Sequence, residues 1–397
     1  MWRAIASNFL TLAIVILVAV GGVIAWGQRQ YVDAGPLANP VCLRVEPGSS
    51  MGRVSDNLEA QGAISSGYIF RVGADYEKKS GQLKAGSFLV PAGASMQSIV
   101  DLVTRGGQST CGTEINYRIG VLMAEVVVRE LDAATNRYVE KVKFNPATEA
   151  APDAYRAVAE DGDTRLRVTL AEGATSWQVV DALKRADFLA GEPGEVPAEG
   201  MLAPDSYEVK RGEPRADLLA EMQRRQEAVL AEAWANRAQS LPYDTPEEAL
   251  IMASLVEKET GVATERGRVA SVFLNRLEQG MRLQTDPTVI YGITKGQGAL
   301  GRGIRASELR RPTPYNTYQI DGLPPGPIAN PGRESIRAAL NPDQTDFLYF
   351  VADGSGGHAF ARTLDEHNQN VRKWREIEAS RGESDQGGTQ TGTQTGN

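Results

Sequence analysis

From Ala4 to Trp26 the chain is apolar apart from Ser7, Asn8 and Thr11. A helix of that length rises about 1.5 Å per residue and so crosses the roughly 30 Å of hydrocarbon in a bilayer. This segment ties one end of the chain to a membrane or to an export route. A cleaved leader is the rival reading, but its apolar region usually runs about 7–15 residues and ends in a small-x-small site. Ile24-Ala25-Trp26-Gly27 supplies no such site, which favours an uncleaved anchor. Arg3 on one side and Arg29 on the other barely discriminate orientation, so an N-in, C-out arrangement is inferred from the character of the chain downstream of the anchor.

The remaining chain, with 42% hydrophobic side chains overall, is long enough to bury one large core or several smaller ones. A net charge of −8 leaves no basic field to gather phosphates, and this excludes sequence-independent nucleic-acid binding. Cys42 and Cys111 bracket what reads as one module. An oxidising compartment would let them pair, contributing about 4 kcal/mol in the chain-entropy model, while two separate buried thiols fit the sequence equally. His358 and His367 are the only histidines and lack zinc-site spacing, so no metal and no cofactor are implied.

Periodicity divides the chain into segments. Leu43–Val45 reads as a strand, Ser50–Gln61 and Ser66–Tyr76 as helices, Gly86–Val90 as a returning strand and Met96–Thr104 as a third helix. A degenerate copy of the opening recurs at Leu166–Leu170 and Ser176–Ala186. Between them, Ile115–Phe144 alternates like a strand pair turning near Ala134-Thr135-Asn136. Arg381–Asn397, rich in Gly, Gln, Thr and Ser, is too poor in apolar residues to offset its ordering entropy and is expected to be disordered.

The chemistry-bearing stretch opens with Thr245-Pro246-Glu247-Glu248, a helix start with Thr245 as N-cap, Pro246 at the first helical position and Glu248 completing a capping box. The helix is expected to reach Thr260 and stop at Gly261. Met252, Leu255 and Val256 share a face with Glu259, which puts a carboxyl group on an apolar stripe at the negative end of a helix. Both surroundings penalise the ionised form and raise the pKa toward what a general acid needs at neutral pH. A carboxyl satisfied by a neighbouring cation or backbone amide would give the same pattern. Glu257, on the opposite face, is not excluded by periodicity, and Ser254 with Lys258 has only the spacing of a chance dyad. Thr264–Gln279 reads as a second helix stopped by Gly280, and Gly292–Gly303 reads as a rim loop without a phosphate-binding context. Tyr291, Tyr315 and Tyr318 offer faces suited to stacking on sugars, or to core packing.

Ala253–Thr260, Val269–Leu277, Met281–Gly292, Tyr315-Asn316-Thr317-Tyr318, Gly322–Ile328, Leu348–Gly354 and Gly357–Phe360 together resemble the endolytic murein transglycosylase, or YceG-like, family. The likeness is tight over Ile251–Asn368 and loose over the span from the anchor to His367, with the C-terminal tail an extra segment. It implies an α+β protein: a single N-terminal transmembrane helix, a LysM-like βααβ module, and a mixed α/β catalytic domain with a lysozyme-like active-site helix. The expected divisions are an anchor at 1–30, the LysM-like module at 31–107, a β-hairpin insertion and linker at 108–165, a second α/β subdomain at 166–242, the catalytic domain at 243–378 and the tail at 379–397. The resemblance selects Glu259 over Glu257, as the second glutamate of Glu-Lys-Glu-Thr. It further implies an enzyme of the inner membrane, with its catalytic domain in the periplasm. Such an enzyme would cleave peptidoglycan glycan strands with a 1,6-anhydro end and meet peptidoglycan synthases. Asn275, Gln284, Thr285, Tyr315, Asn316 and Tyr318 are the candidates for holding substrate, each equally able to serve as a structural hydrogen bonder. A hydrolytic muramidase using Asp286 and a non-enzymatic wall-binding scaffold are the alternatives.

Overall fold

A computed structural model describes residues 2–105 and 109–387. It is a mixed α+β structure whose chain divides into two compact units, one made of residues 1–116, 126–144 and 148–167 and the other of residues 117–125, 145–147 and 168–397.

The first unit opens with α1 (Trp2–Val32), within which Asn8–Val32 is long and apolar enough to cross a membrane. Its end enters the unit's own core, where Tyr31 is buried beside Leu37. Strand β1 (Val41–Val45) leads to α2 (Met51–Ala60), capped by Ser50, and then to α3 (Gly67–Tyr76), capped by Ser66. Strand β2 (Gly86–Val90) returns antiparallel to β1, and α4 (Met96–Thr104) comes next, so the strand-helix-helix-strand order read from periodicity holds. Cys42 and Cys111 form a disulfide with 5.9 Å between Cα atoms, resolving a pairing that the sequence left open.

The stretch expected to be a strand pair contains three strands: β3 (Thr113–Ile119), β4 (Ala124–Asp132) and β5 (Arg137–Phe144). The turn near residue 135 joins β4 to β5, with Asn136 in the left-handed region at φ 51°. A second turn, closed by Gly120 N–H donating to Met123 O, is the one that alternation alone did not reveal. Glu114, almost fully buried, is met by Arg129 at 2.5 Å and Arg167 at 3.3 Å, the pairing a buried carboxylate requires. After α5 (Asp153–Ala159) and β6 (Arg165–Leu170) comes α6 (Ser176–Leu183), capped by Thr175. Short strands β7 (Leu189–Ala190), β8 (Ser206–Val209) and β9 (Glu213–Pro214) precede the long helix α7 (Arg215–Ala235). The largest sheet has the order β5-β4-β3-β6-β8.

The helical core of the second unit is built on α8 (Pro246–Glu259). Both arms of the expected capping box are present, with Thr245 accepting from Glu248 N and Glu248 accepting from Thr245 N. Residues Ala249 to Val256 are all buried, so α8 is a core helix contacted by α7, α9 (Arg266–Glu278) and α12 (Arg333–Leu340). Ahead of α9, residues Ala263–Glu265 form a 3₁₀ turn, which takes the place of the first turn of the helix read from sequence. Helices α10 (Asp286–Thr294) and α11 (Ala306–Leu309), the antiparallel strands β10 (Tyr349–Ala352) and β11 (His358–Ala361), and α13 (Leu364–Gly387) complete the unit. Helix α13 extends to Gly387, beyond Arg381, where the polar tail was expected to lose its order; residues 388–397 lie outside those described.

Candidate active site

Helix α8 ends at Glu259 because Thr260 turns extended, at φ −137° and ψ 129°, and its hydroxyl accepts from Val262 N. With Ala249–Val256 buried and Glu257 and Lys258 half-buried beyond them, Glu259 stands at the boundary between the apolar core and solvent, partly exposed as a residue. Burial is the dominant influence on it and pushes its pKa above the ordinary glutamate value; the Asp286 carboxylate acts in the same direction. Hydrogen bonding by Thr285 opposes the rise without cancelling it, as do the Arg276 guanidinium and any positive charge placed on His358. The outcome is a carboxyl that retains its proton to higher pH than a solvated glutamate.

Thr285 donates its hydroxyl to Glu259 Oε1. A buried set of threonines fixes this donor. Thr285 N donates to Thr317 Oγ1 at 3.0 Å, Thr288 Oγ1 donates to Thr285 O at 2.7 Å, and the Thr288 and Thr317 hydroxyls meet at 2.9 Å. Gln284, immediately before, adopts φ 51°, a conformation that costs a non-glycine residue energy and turns the chain so that Thr285 faces Glu259. Tyr318 donates its hydroxyl to Asp286 Oδ1 at 2.7 Å, which brings a tyrosine and a second carboxylate to the same end of α10.

The other expected residues are arranged differently. Asn275 Nδ2 donates to Thr345 O and Phe347 O, each at 2.9 Å, and thereby ties α9 to the segment before β10. Asn316 Nδ2 lies within hydrogen-bonding distance of the carbonyls of Glu308, Leu309 and Arg311, and its Oδ1 accepts from Tyr318 N. Tyr315 packs against Tyr291 with centroids 5.0 Å apart. The Tyr291 hydroxyl donates to Glu199, a carboxyl raised by burial that also accepts from Ser176 N. Gln284 extends into solvent. The structure therefore gathers Thr285 and Tyr318 around Glu259, with the backbone of Gln284 shaping the turn, and commits the amides of Asn275 and Asn316 to backbone carbonyls.

The competing readings of α8 find other partners. Glu257 Oε2 accepts from Gly332 N at 3.0 Å, Ser254 Oγ donates to Ile251 O and accepts from Ile328 N, and Lys258 Nζ donates to Gly173 O at 3.2 Å. Sequence reasoning also passed over Arg276. Its half-buried guanidinium donates through Nε to Leu348 O and through Nη1 to Leu283 O, which ties α9 to the hairpin of β10 and to the segment entering Thr285. Arg276 lies within the Val269–Leu277 motif, but its carbonyl partner at position 348 is not readable from local spacing.

A family model described as "YceG-like family" matches residues 143–373. The chain is 28% identical over 334 residues to the endolytic murein transglycosylase of Bacillus subtilis, covering 84% of each protein. It is 28% identical over 354 residues to a protein of the same description in Streptococcus pneumoniae, covering 87% of this chain and 58% of that one. Among solved structures, a 2.6 Å crystal structure of a yceG-like protein from Listeria monocytogenes aligns over 84% of this chain and 99% of its own, with 25% identity and a TM-score of 0.45. With its glutamate-bearing helix and threonine-lined turn inside the matched span, the chain belongs to the YceG-like family.

Proposed function

We propose that this chain is a membrane-anchored lytic transglycosylase that cleaves the β-1,4 bond between N-acetylmuramic acid and N-acetylglucosamine within peptidoglycan strands. The observation that carries the proposal is the Glu259 carboxyl, raised by burial at the end of a core helix and held by the Thr285 hydroxyl. The relatives' names supply the substrate class.

In this mechanism Glu259, whose burial favours its protonated form, donates its proton to the glycosidic oxygen as an oxocarbenium-like centre develops. The resulting carboxylate is stabilised by the Thr285 donor, so the same group then serves as base. It takes the proton of the muramoyl C6 hydroxyl, whose oxygen attacks the anomeric carbon and closes the 1,6-anhydro ring without consuming water. Tyr318 and Asp286 line the approach to this carboxyl. The strand-helix-helix-strand order of β1, α2, α3 and β2 supports reading residues 31–107 as a LysM-like glycan grip, and α8 supports reading the site as lysozyme-like. Helix α1 supports a single-pass anchor in the inner membrane, with both modules in the periplasm acting on nascent strands beside peptidoglycan synthases and ending their elongation.

Digestion of purified sacculi tests the reaction. Anhydro-ended fragments, lighter by one water than hydrolytic ones, are expected; a predominance of reducing ends would assign hydrolysis with Asp286 as the second carboxylate. Glu259→Gln is expected to lower the rate by at least about a hundredfold, the usual contribution of a positioned general acid.

A further inference from the structure

Glu265, in the 3₁₀ turn that comes after Glu259, is a nearly buried carboxylate whose two oxygens both serve one residue. Its Oε1 accepts from His358 N at 3.1 Å and its Oε2 meets His358 Nδ1 at 2.8 Å. The fit is close: a Cβ at Gly357 would come within 2.7 Å of Glu265 Oε1, so only glycine before the histidine permits the approach. The imidazole is held edge-on to Phe350 at 5.2 Å and near Phe360 at 6.3 Å. Phe350 in turn packs against Phe273 of the core around α8. Among the described residues, the charged groups around this ring include Glu265, which Arg268 approaches at 3.9 Å, and Glu259, on which a charge at His358 acts.

A carboxylate on Nδ1 selects the tautomer that carries its proton there and leaves the Nε2 lone pair as an acceptor. The side chain keeps 15% exposure, so with Nδ1 turned to the buried Glu265 its remaining edge opens outward. It lies close enough to Glu259 for its charge to act on that carboxyl. A tie between β11 and the 3₁₀ turn would need only the backbone bond from His358 N; the second bond fixes the ring's tautomer as well.

We propose that His358 is a substrate-contacting residue, oriented by Glu265 so that Nε2 accepts a hydrogen bond from a hydroxyl of the glycan bound beside Glu259. This rests on the glycan-cleaving reading of the site. Glu265 acts through the histidine and is a positioning residue. The contact uses the Nε2 lone pair that the Nδ1-bound carboxylate leaves free.

The chain has two histidines, so selective ¹⁵N-histidine labelling of the full chain in detergent gives two imidazole spin systems, assigned by His367→Gln. The measurement is made in the Glu259→Gln background, with peptide-free glycan strands as the probe and co-sedimentation reporting occupancy. His358 is expected as the Nδ1–H tautomer, with its Nε2 resonance shifting on glycan binding while His367 stays fixed. An unmoved His358 Nε2 at full occupancy would overturn the proposal. In the otherwise native chain, His358→Phe should lower kcat/KM about tenfold or more, the cost of one unmade hydrogen bond. His358→Gln, whose amide oxygen can accept in place of Nε2, should recover part of that loss. Equal activity of the Phe, Gln and native forms would also contradict the assignment. Cleavage by Glu259→Gln would instead remove the acid/base reading and leave the binding result intact.

Discussion

At the scale of single residues, the balance at Glu259 is between burial, which favours the protonated acid, and the Thr285 hydroxyl, which favours the carboxylate. Replacing Thr285 with Val removes the largest opposing influence, so the pKa of Glu259 rises further. The alkaline limb of the pH–rate profile should then move to higher pH, while the optimum rate falls roughly tenfold through loss of the donor to the carboxylate. The same shift has a stability consequence. A glutamate whose folded pKa is raised binds its proton more tightly when folded, so it costs no stability below the unfolded pKa and destabilises increasingly as pH rises through the window up to the folded value. Glu259→Gln should therefore raise Tm relative to the native chain at neutral and alkaline pH, with the gain shrinking as pH falls toward the ordinary glutamate range and absent below it. A thermal melt series across pH checks this, and a pH-independent difference would contradict a raised carboxyl. Glu259 was legible in the sequence as a carboxyl on an apolar stripe, but its preference over Glu257 came from resemblance alone. The structure adds a local reason, since Glu257 accepts from the backbone of Gly332. Arg276 and His358 were not legible as site residues, because Leu348 lies 72 residues from Arg276 and Glu265 lies 93 residues from His358.

At the scale of elements, the chain states its helix starts locally and hides its strand pairings. The Thr245–Glu248 box was readable because cap, proline and glutamate fall within four successive positions and make their bonds to one another. Thr245→Ala should destabilise the second unit by about 1 kcal/mol, read from chemical denaturation. The third strand in residues 113–144 was not readable, since alternation marks strands but not how many times they turn. The Cys42–Cys111 bond joins β1 to the segment after β2 across 69 residues, and the two thiols had no local signature of pairing. Replacing both cysteines with serine should lower the stability of the first unit by about 2–5 kcal/mol, with no change in a reduced control.

At the scale of the whole molecule, α1 continues without a break from its apolar segment into the first unit's core, where Tyr31 packs against Gly73. An anchor retained in this way should leave the protein in the membrane fraction after alkaline extraction, and peptide mapping should recover residues 4–26. Loss of those residues from the mature protein would restore the cleaved-leader reading. The catalytic proposal itself depends on a protonated carboxyl near neutral pH. Infrared difference spectroscopy of the native chain against Glu259→Gln observes that proton directly. The carbonyl stretch of a protonated carboxylic acid should be present near neutral pH in the native protein alone and should titrate away above the ordinary glutamate range. A carboxylate at Glu259 already ionised throughout that range would contradict the account.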